Sequence, residues 1–348
     1  PKAEKSVFAA ATSRSTHAMS HVNALVPQSF LQQERVAESM VAAGNAVEAE
    51  NIFDMLKPKT DLSDLISQSI EQISKELESV VDGQPDVSER RLGKQPKLLE
   101  RKSGNRKLRR FLSPHEREQV TGRSEAAMYP GIRALVLFAS NRLSAIAGEL
   151  GLPLCTTITV HESFDRKPED SDDLSSIDLA LKSGDRTSRL GGQQPDNTLS
   201  FANMIGIVEA KAGNTESDEL DALAQLYRYS RNLYYCQLNR RFVWGLTFCG
   251  TTARACLLSP DNMFKSGPMD VHTCKGREEF VGLPVRMSTC AVDCLGYDTS
   301  IWYDESHKVW VANVFDDSTG NVSRYTIDNI ISSADGTFGR HRRMFGSI

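Results

Sequence analysis

Apolar residues along the chain form two long helical stripes and a series of short strand-like runs, with polar segments between them. The first stripe begins near residue 61, where Asp61 or Ser63 can cap a helix. Its apolar members recur at the helical spacing and are Leu62, Leu65, Ile66, Ile70, Ile73, Leu77 and Val80. Such a stripe is typical of a helical-bundle face or of a dimerising coiled coil. Residues 1–85 are therefore predicted to form a helical N-terminal region, through which two copies of the chain could pair.

The pattern over residues 124–260 predicts a compact α/β domain. A long helix is expected to start at Pro130, which suits a first helical position, and to end at Gly151. A second helix is expected over 218–237, and a polar, glycine-rich loop over 182–200. Strands are predicted at 155–160, 176–181, 204–210 and 241–249, with a hairpin partner at 253–258. The predicted order is α-β-β-β-α-β, with a mixed sheet flanked by helices.

The segments on either side of this domain look different. Residues 86–123 are predicted to be a basic linker. Gly83, Pro85 and Gly93 interrupt regular structure near its start. Residues 261–348 are predicted to be a β-rich C-terminal extension, since 308–315 and 323–327 alternate as strands do.

Composition changes this picture little. The chain has 348 residues, of which 40% are hydrophobic, and a net charge of −4, so nucleic-acid binding would need a local basic patch. No apolar run approaches the roughly 20 residues that a membrane-spanning helix needs. The seven cysteines are irregularly spaced, which indicates reduced thiols in an intracellular protein. The start, at Pro1, has neither methionine nor a signal-peptide core, which indicates a trimmed N-terminus.

Residues 90–110 are densely basic. Such a segment can be a nuclear localisation signal, a contact to a phosphate backbone or a solvated linker. A nuclear location is one expectation from this segment.

The most informative chemistry lies in the predicted strand 204–210 and its neighbours. Glu209 and Lys211 are two residues apart, so both side chains point to one face of the strand. An unpaired charge is costly to bury. Asp178 brings a second carboxylate from the preceding strand, and Gln225 and Tyr229 lie one turn apart on the following helix. These residues could also form a buried ion-pair network without a metal.

The order Asp178, Glu209-x-Lys211, Gln225-x-x-x-Tyr229 resembles the signature of the PD-(D/E)XK nuclease superfamily, especially its RecB-like branch. The resemblance implies a restriction-endonuclease-like core and a metal-dependent nuclease, with DNA as the expected partner. Phosphodiester hydrolysis uses a divalent ion to polarise the phosphoryl oxygen and activate water, and oxygen ligands suit Mg²⁺ or Mn²⁺.

Site residues follow from this resemblance. Asp178, Glu209 and the Ala210 carbonyl would hold the metal, and Lys211 would orient the attacking water. Glu125, before the long helix, is either a further metal ligand or an ordinary first-turn residue. Gln225 and Tyr229 would lie beside the metal and the DNA strand.

Contacts to nucleic acid are expected from Arg228, Arg231 and Lys182. An arginine on an exposed helix is, however, usually only solvated. The contrasting hypothesis for the whole domain is a non-catalytic interaction or regulatory module that retains the nuclease fold.

A second resemblance covers residues 124–348. The runs 240–250 and 295–300 resemble the region preceding the kinase domain in fungal-type protein kinases, and the end from Tyr325 to Arg340 resembles the entry to the first strands of that kinase domain. Nuclease-like and kinase-like modules are also paired in Crinkler-type effectors and fungal spore-killer proteins, which implies a module of a multidomain effector or toxin-like protein. The chain has no His-Arg-Asp, Asp-Phe-Gly or Val-Ala-Ile-Lys motif, and is not expected to be a kinase itself.

A zinc site is an alternative arrangement in the C-terminal part of the chain. Its candidate ligands are close in sequence and would be His272, Cys274, Cys290 and Cys294. The His272-x-Cys274 spacing is awkward for zinc, and buried thiols are the preferred interpretation.

Overall fold

The protein is described by a computed structural model over residues 46–49, 52–56, 62–82, 105–112, 125–163, 168, 177–183, 199–259, 262–304, 306–307, 309–316, 318–327, 329–333 and 343–346. Three predicted features lie outside these residues. They are the N-terminal stretch 1–45, the basic segment up to residue 104, and the loop 184–198.

Within the described residues, eight strands form the main sheet. They are β1 (Ala46–Glu48), β2 (Ile158–Glu162), β3 (Leu179–Ser183), β4 (Met204–Lys211), β5 (Val243–Cys249), β6 (Thr252–Leu258), β7 (Met263–Lys265) and β8 (Met269–Asp270). Seven lie in the order β1-β7-β6-β5-β4-β3-β2, and β8 pairs with β6. The sheet is mixed: β4 runs parallel to β5, and β1 to β7, while the other pairs are antiparallel.

The described helices lie on both sides of this sheet. They are α1 (Ser63–Val81), α2 (105–112), α3 (Tyr129–Leu150), α4 (Glu216–Cys236) and α5 (Cys274–Thr289). The crossover β4–α4–β5 joins two parallel strands, and α4 packs against both of them. Every residue of β4 and β5 is buried, as expected for central strands that are covered on both faces.

The α/β class and the mixed sheet flanked by helices agree with the sequence prediction. Element boundaries differ by a few residues. Strand β3 begins at Leu179, so Asp178 lies immediately before the strand rather than inside it. Helix α4 begins at Glu216 because Thr215 and Asp218 form a capping box there.

Within the predicted β-rich C-terminal extension the structure also contains helix α5, which the sequence analysis missed. Gly276, Gly282 and Pro284 within α5 weaken the helical signal of the sequence. Helix α2 was also missed, since its residues read as basic linker. Gly131 allows α2 to approach α3 closely: a Cβ at this position would lie 2.4 Å from Cγ of Phe111.

The apolar stripe of α1 is buried inside the chain. Helix α1 packs against α5 and α3, and its buried members belong to the main hydrophobic core. The Glu78 carboxylate accepts hydrogen bonds from Nε and Nη2 of Arg277 on α5, which reinforces this contact. Pairing of two chains through the N-terminal region stays a prediction.

The C-terminal strands form smaller sheets. Strands β9 (Ile301–Asp304), β10 (Val309–Asp316) and β11 (Asn321–Ile327) form an antiparallel sheet, and β12 (Asn329–Ser333) pairs with β13 (Arg343–Gly346). The three-stranded sheet has its own small core of Tyr303, Trp310 and Ile327. None of the described helices has the length and apolarity needed to cross a bilayer.

Candidate functional site

Glu209 and Lys211 share the face of β4 that is covered by α4. Ile207, two residues before Glu209, packs in the cluster that contains the apolar side chains of α4. Alternation then places Glu209 and Lys211 on the same face, and Ala210 on the opposite face. Glu209 is 2% exposed, which is unusual for a carboxylate, and Lys211 is also buried.

Asp178 is brought beside Glu209 by strand pairing. Leu179 pairs with Val208 in the antiparallel β3–β4 ladder, so the preceding residue faces Glu209. The backbone N–H of Ala210 donates to Oδ2 of Asp178 at 2.8 Å. The hydroxyl of Tyr129, at the start of α3, donates to Oδ1. Asp178 is therefore held from two sides.

The Lys211 ammonium lies among three carboxylates. Its Nζ is 2.8 Å from Oδ2 of Asp221, 3.5 Å from Oε1 of Glu209 and 3.7 Å from Oε1 of Glu125. These carboxylates come from α4, from β4 and from the short turn before α3. Lys211 thus connects the sheet to both helices at this end of the molecule.

Helix α4 brings the two motif residues Gln225 and Tyr229 towards the site. The Gln225 amide donates to both carboxylate oxygens of Asp221, each at 3.1 Å. Tyr229 is buried, and its hydroxyl accepts a hydrogen bond of 3.1 Å from Arg228. Burial, together with the charge of Glu209, raises the pKa of Tyr229.

The buried charges change one another's protonation. Burial, and next the charge of Asp178, raises the pKa of Glu209 well above its usual range. Burial also raises the pKa of Asp178, more than its hydrogen bonds from Tyr129 and Ala210 lower it. Burial acts to lower the pKa of Lys211, but the hydrogen bond to Asp221 and the nearby carboxylates raise it overall. These surroundings therefore favour the charged form of Lys211 and disfavour the charged form of Glu209.

The site has more carboxyl groups than ammonium groups, so a further cation could interact with them. Glu125, Asp178, Glu209 and Asp221 all interact electrostatically with this single ammonium. Among the described residues, Oε2 of Glu209 is buried and finds no hydrogen-bond partner. No group of three or more His, Cys, Asp or Glu side chains in the described part of the chain is arranged as a metal cluster. Mg²⁺ needs only one or two protein carboxylates because it retains several waters, so the pair Asp178 and Glu209 fits such an ion chemically.

The residues predicted to contact nucleic acid lie in different surroundings. Lys182 is buried on β3, whereas Arg228 and Arg231 lie on α4 with partly exposed side chains. The Arg228 guanidinium also lies over the Tyr229 ring, 4.9 Å from its centroid. Their predicted role in nucleic-acid binding stays a prediction.

The four zinc candidates do not form a site among the described residues. His272 Nε2 lies 3.0 Å from the carbonyl oxygen of Phe111, Cys274 is exposed, and Cys290 is buried. Of the three thiols, Cys290 is buried, as the sequence favoured, whereas Cys274 is exposed and Cys294 is partly buried.

Sequence reasoning missed two residues of the site, Tyr129 and Asp221. Tyr129 contacts Asp178 from 49 positions away in sequence, so no short motif could indicate it. Asp221 had a weak signal, because it lies one helical turn before Gln225 and therefore shares its face.

Comparison with known proteins gives one match. No curated protein and no solved structure matches the chain. The sequence pattern of the family described as fungal protein kinase matches residues 176–345. This stretch includes Asp178, Glu209, Lys211 and all of α4. Over these residues, the chain is similar to the fungal protein kinase family.

Proposed function

We propose that the chain carries a metal-dependent phosphodiester hydrolase site of the PD-(D/E)XK type, acting on DNA. The observation that carries this proposal is the meeting of Asp178, Glu209 and Lys211 on one side of β4, with Oε2 of Glu209 buried and without a partner among the described residues. A carboxylate in this state is stabilised by any cation that reaches it. The order α3-β2-β3-β4-α4-β5 supports assignment of the core to this superfamily.

Glu209 and Asp178 would hold the divalent ion, with Glu125 and the Ala210 carbonyl as further ligands. When bound, the ion would polarise the phosphoryl oxygen and lower the pKa of an attacking water. Mg²⁺ and Mn²⁺ both suit these oxygen ligands.

The chain's own residues have separate tasks in this proposal. Tyr129 and the Ala210 amide fix the Asp178 carboxylate, so that its orientation is set before substrate binds. Lys211 keeps its proton, and its positive charge would stabilise the negative charge that develops on the phosphate. Arg228 and Arg231 on α4 would contact the DNA backbone.

The test is degradation of plasmid DNA in Mg²⁺ or Mn²⁺ by the wild type and by Glu209→Gln, Lys211→Met and Glu216→Gln. Glu216 is an exposed carboxylate at the start of α4 and serves as the control. We expect the first two variants to lose at least about 100-fold in rate, as for removal of a group that stabilises developing charge. Equal rates in all four proteins would assign the activity to another site or to a contaminant.

A second candidate is a non-catalytic module of a fungal-type kinase that retains this fold. This candidate is favoured because side chains of the site already have partners within the chain. Both oxygens of Asp178 accept hydrogen bonds, and Lys211 is bound to Asp221. It also accords with the match to the fungal protein kinase family. For this candidate, no cleavage would be found and divalent ions would leave the melting temperature unchanged.

A further inference from the structure

Asp221 is the nearest carboxylate to Lys211, although it lies outside the three-part motif. It is on α4, and its side chain is 50% exposed, whereas that of Glu209 is almost fully buried. The separation of 2.8 Å between Oδ2 and Nζ is a charge-assisted hydrogen bond, while the separations to Glu209 and Glu125 are 0.7 and 0.9 Å longer. The ammonium is thus directed towards α4.

Asp221 is itself held in place. Gln225, one turn further along α4, donates to both of its oxygens at 3.1 Å, which fixes the plane of the carboxylate. The helix is anchored in turn by the capping box of Thr215 and Asp218 and by its packing against β4 and β5. The chain of contacts Gln225–Asp221–Lys211 therefore connects a rigid helix to the ammonium.

We propose that Asp221 is a positioning residue that fixes the Lys211 ammonium beside Glu209, and that Gln225 acts by orienting Asp221. For catalysis, this inference rests on the proposed hydrolase function; the contact itself does not. An ammonium on a flexible four-carbon stem has many orientations, and a fixed partner removes most of them before substrate arrives. In this proposal, the Gln225 amide acts on Asp221 rather than directly on the nucleic acid.

The contact is tested first without any activity measurement. In protein with ¹⁵N-labelled lysine, NMR should show a slowly exchanging ammonium signal from Lys211, assigned by its loss in Lys211→Met. We expect the signal to persist in Glu216→Gln and in Asp221→Glu, and to vanish in Asp221→Asn. Absence of the signal from the wild type, or its persistence in Asp221→Asn, would overturn the proposal.

The catalytic role is tested by the separate effects on kcat and KM. Asp221→Asn should lower kcat by about 10- to 100-fold, as for other partners that orient a catalytic group, and leave KM and the melting temperature nearly unchanged. Gln225→Leu should give a smaller loss of the same kind, and Asp221→Glu should recover part of the rate. In a Lys211→Met background, Asp221→Asn should have no further effect.

The two proposals can fail separately. A wild type without cleavage that still shows the Lys211 signal refutes the hydrolase function and leaves the positioning contact intact. Cleavage with an unchanged kcat in Asp221→Asn refutes the positioning role and leaves the hydrolase function intact.

Discussion

At the scale of single residues, Glu209 determines the character of the site. It is a carboxylate in the interior, between Asp178 and a lysine that is bound more closely by another carboxylate. Such a group is retained at a cost to stability, and perturbed carboxylates of this kind are common at functional sites. Because burial of the Glu209 charge costs stability, a measurement of unfolding tests the state of Glu209 without any substrate.

The stability of the protein should depend on pH through Glu209. Its pKa in the folded state is raised, so its contribution is fully present below the unfolded pKa and is lost as the pH rises through the folded value. We expect Glu209→Gln to raise the free energy of unfolding at neutral pH, by about 1.4 kcal/mol for each pKa unit between the two states. Urea unfolding at a series of pH values measures this; a Gln variant that is less stable than wild type at neutral pH contradicts it.

Tyr129 should matter through Asp178. Tyr129→Phe removes the hydroxyl that donates to Oδ1, and hydrogen bonds to charged groups contribute about 1.5–3 kcal/mol. Tyr234→Phe is the matched control, because its buried hydroxyl donates to the neutral carbonyl of Leu258. We expect chemical denaturation to show a loss of about 2 kcal/mol for Tyr129→Phe and about 1 kcal/mol for Tyr234→Phe, with only the former reducing divalent-ion binding. Equal effects on ion binding would argue against a link between Tyr129 and the metal site.

The sequence indicates some of these residues and not others. Glu209 and Lys211 could be predicted as a pair because alternation along a strand is a local property. Tyr129 and Asp221 could not be assigned their roles, because their partners are fixed only by how α3 and α4 pack on the sheet. The contact of Gln225 with Asp221 likewise depends on side-chain rotamers that no sequence pattern encodes.

At the scale of elements, the unit β4–α4–β5 carries the site. Its strand β4 supplies Glu209 and Lys211, and its helix supplies Asp221, Gln225 and Tyr229. The sequence pattern predicts this helix from residue 218, two residues late, because the capping box of Thr215 and Asp218 starts it at Glu216. Helix α5 was missed because glycine and proline interrupt it, and it forms nevertheless because its apolar side chains fill the core.

The cap of α4 should therefore affect both stability and the site. Thr215→Ala removes the side-chain oxygen that accepts from the Asp218 amide, which should cost about 1 kcal/mol. Thr273→Ala removes the corresponding cap of α5 and should cost a similar amount. Only Thr215→Ala should broaden the Lys211 ammonium signal, because only α4 holds Asp221. Broadening in both variants would show that the signal follows global stability.

At the scale of the whole molecule, the N-terminal helix and the sheet domain share one hydrophobic core. Helix α1 packs on α5 and α3, and the pair Glu78–Arg277 lies at its contact with α5. The apolar stripe of α1 can be predicted from the sequence, but the elements that cover it cannot, because the stripe has the same pattern whether its partner is in the same chain or in another.

Loss of the Glu78 charge should weaken this contact. Glu78→Gln leaves the buried Arg277 guanidinium without its counter-charge, and we expect a loss of about 2 kcal/mol in the free energy of unfolding. This is less than for a fully buried pair, because Glu78 keeps 28% of its side-chain surface exposed. Glu71→Gln, on the same helix in an exposed pair with Lys75, is the control and should leave stability unchanged. A similar loss in both variants would mean that α1 is stabilised by its charges in general rather than by docking on α5.

The proposed hydrolase requires that the site bind a divalent cation, and calorimetric titration with Mn²⁺ measures this binding. We predict one class of saturable site in the wild type and in Glu216→Gln, and no binding in Glu209→Gln or Asp178→Asn, with all four proteins folded by circular dichroism. Absence of binding in the folded wild type, or equal binding in all four proteins, would contradict the proposed divalent-ion site at Asp178 and Glu209.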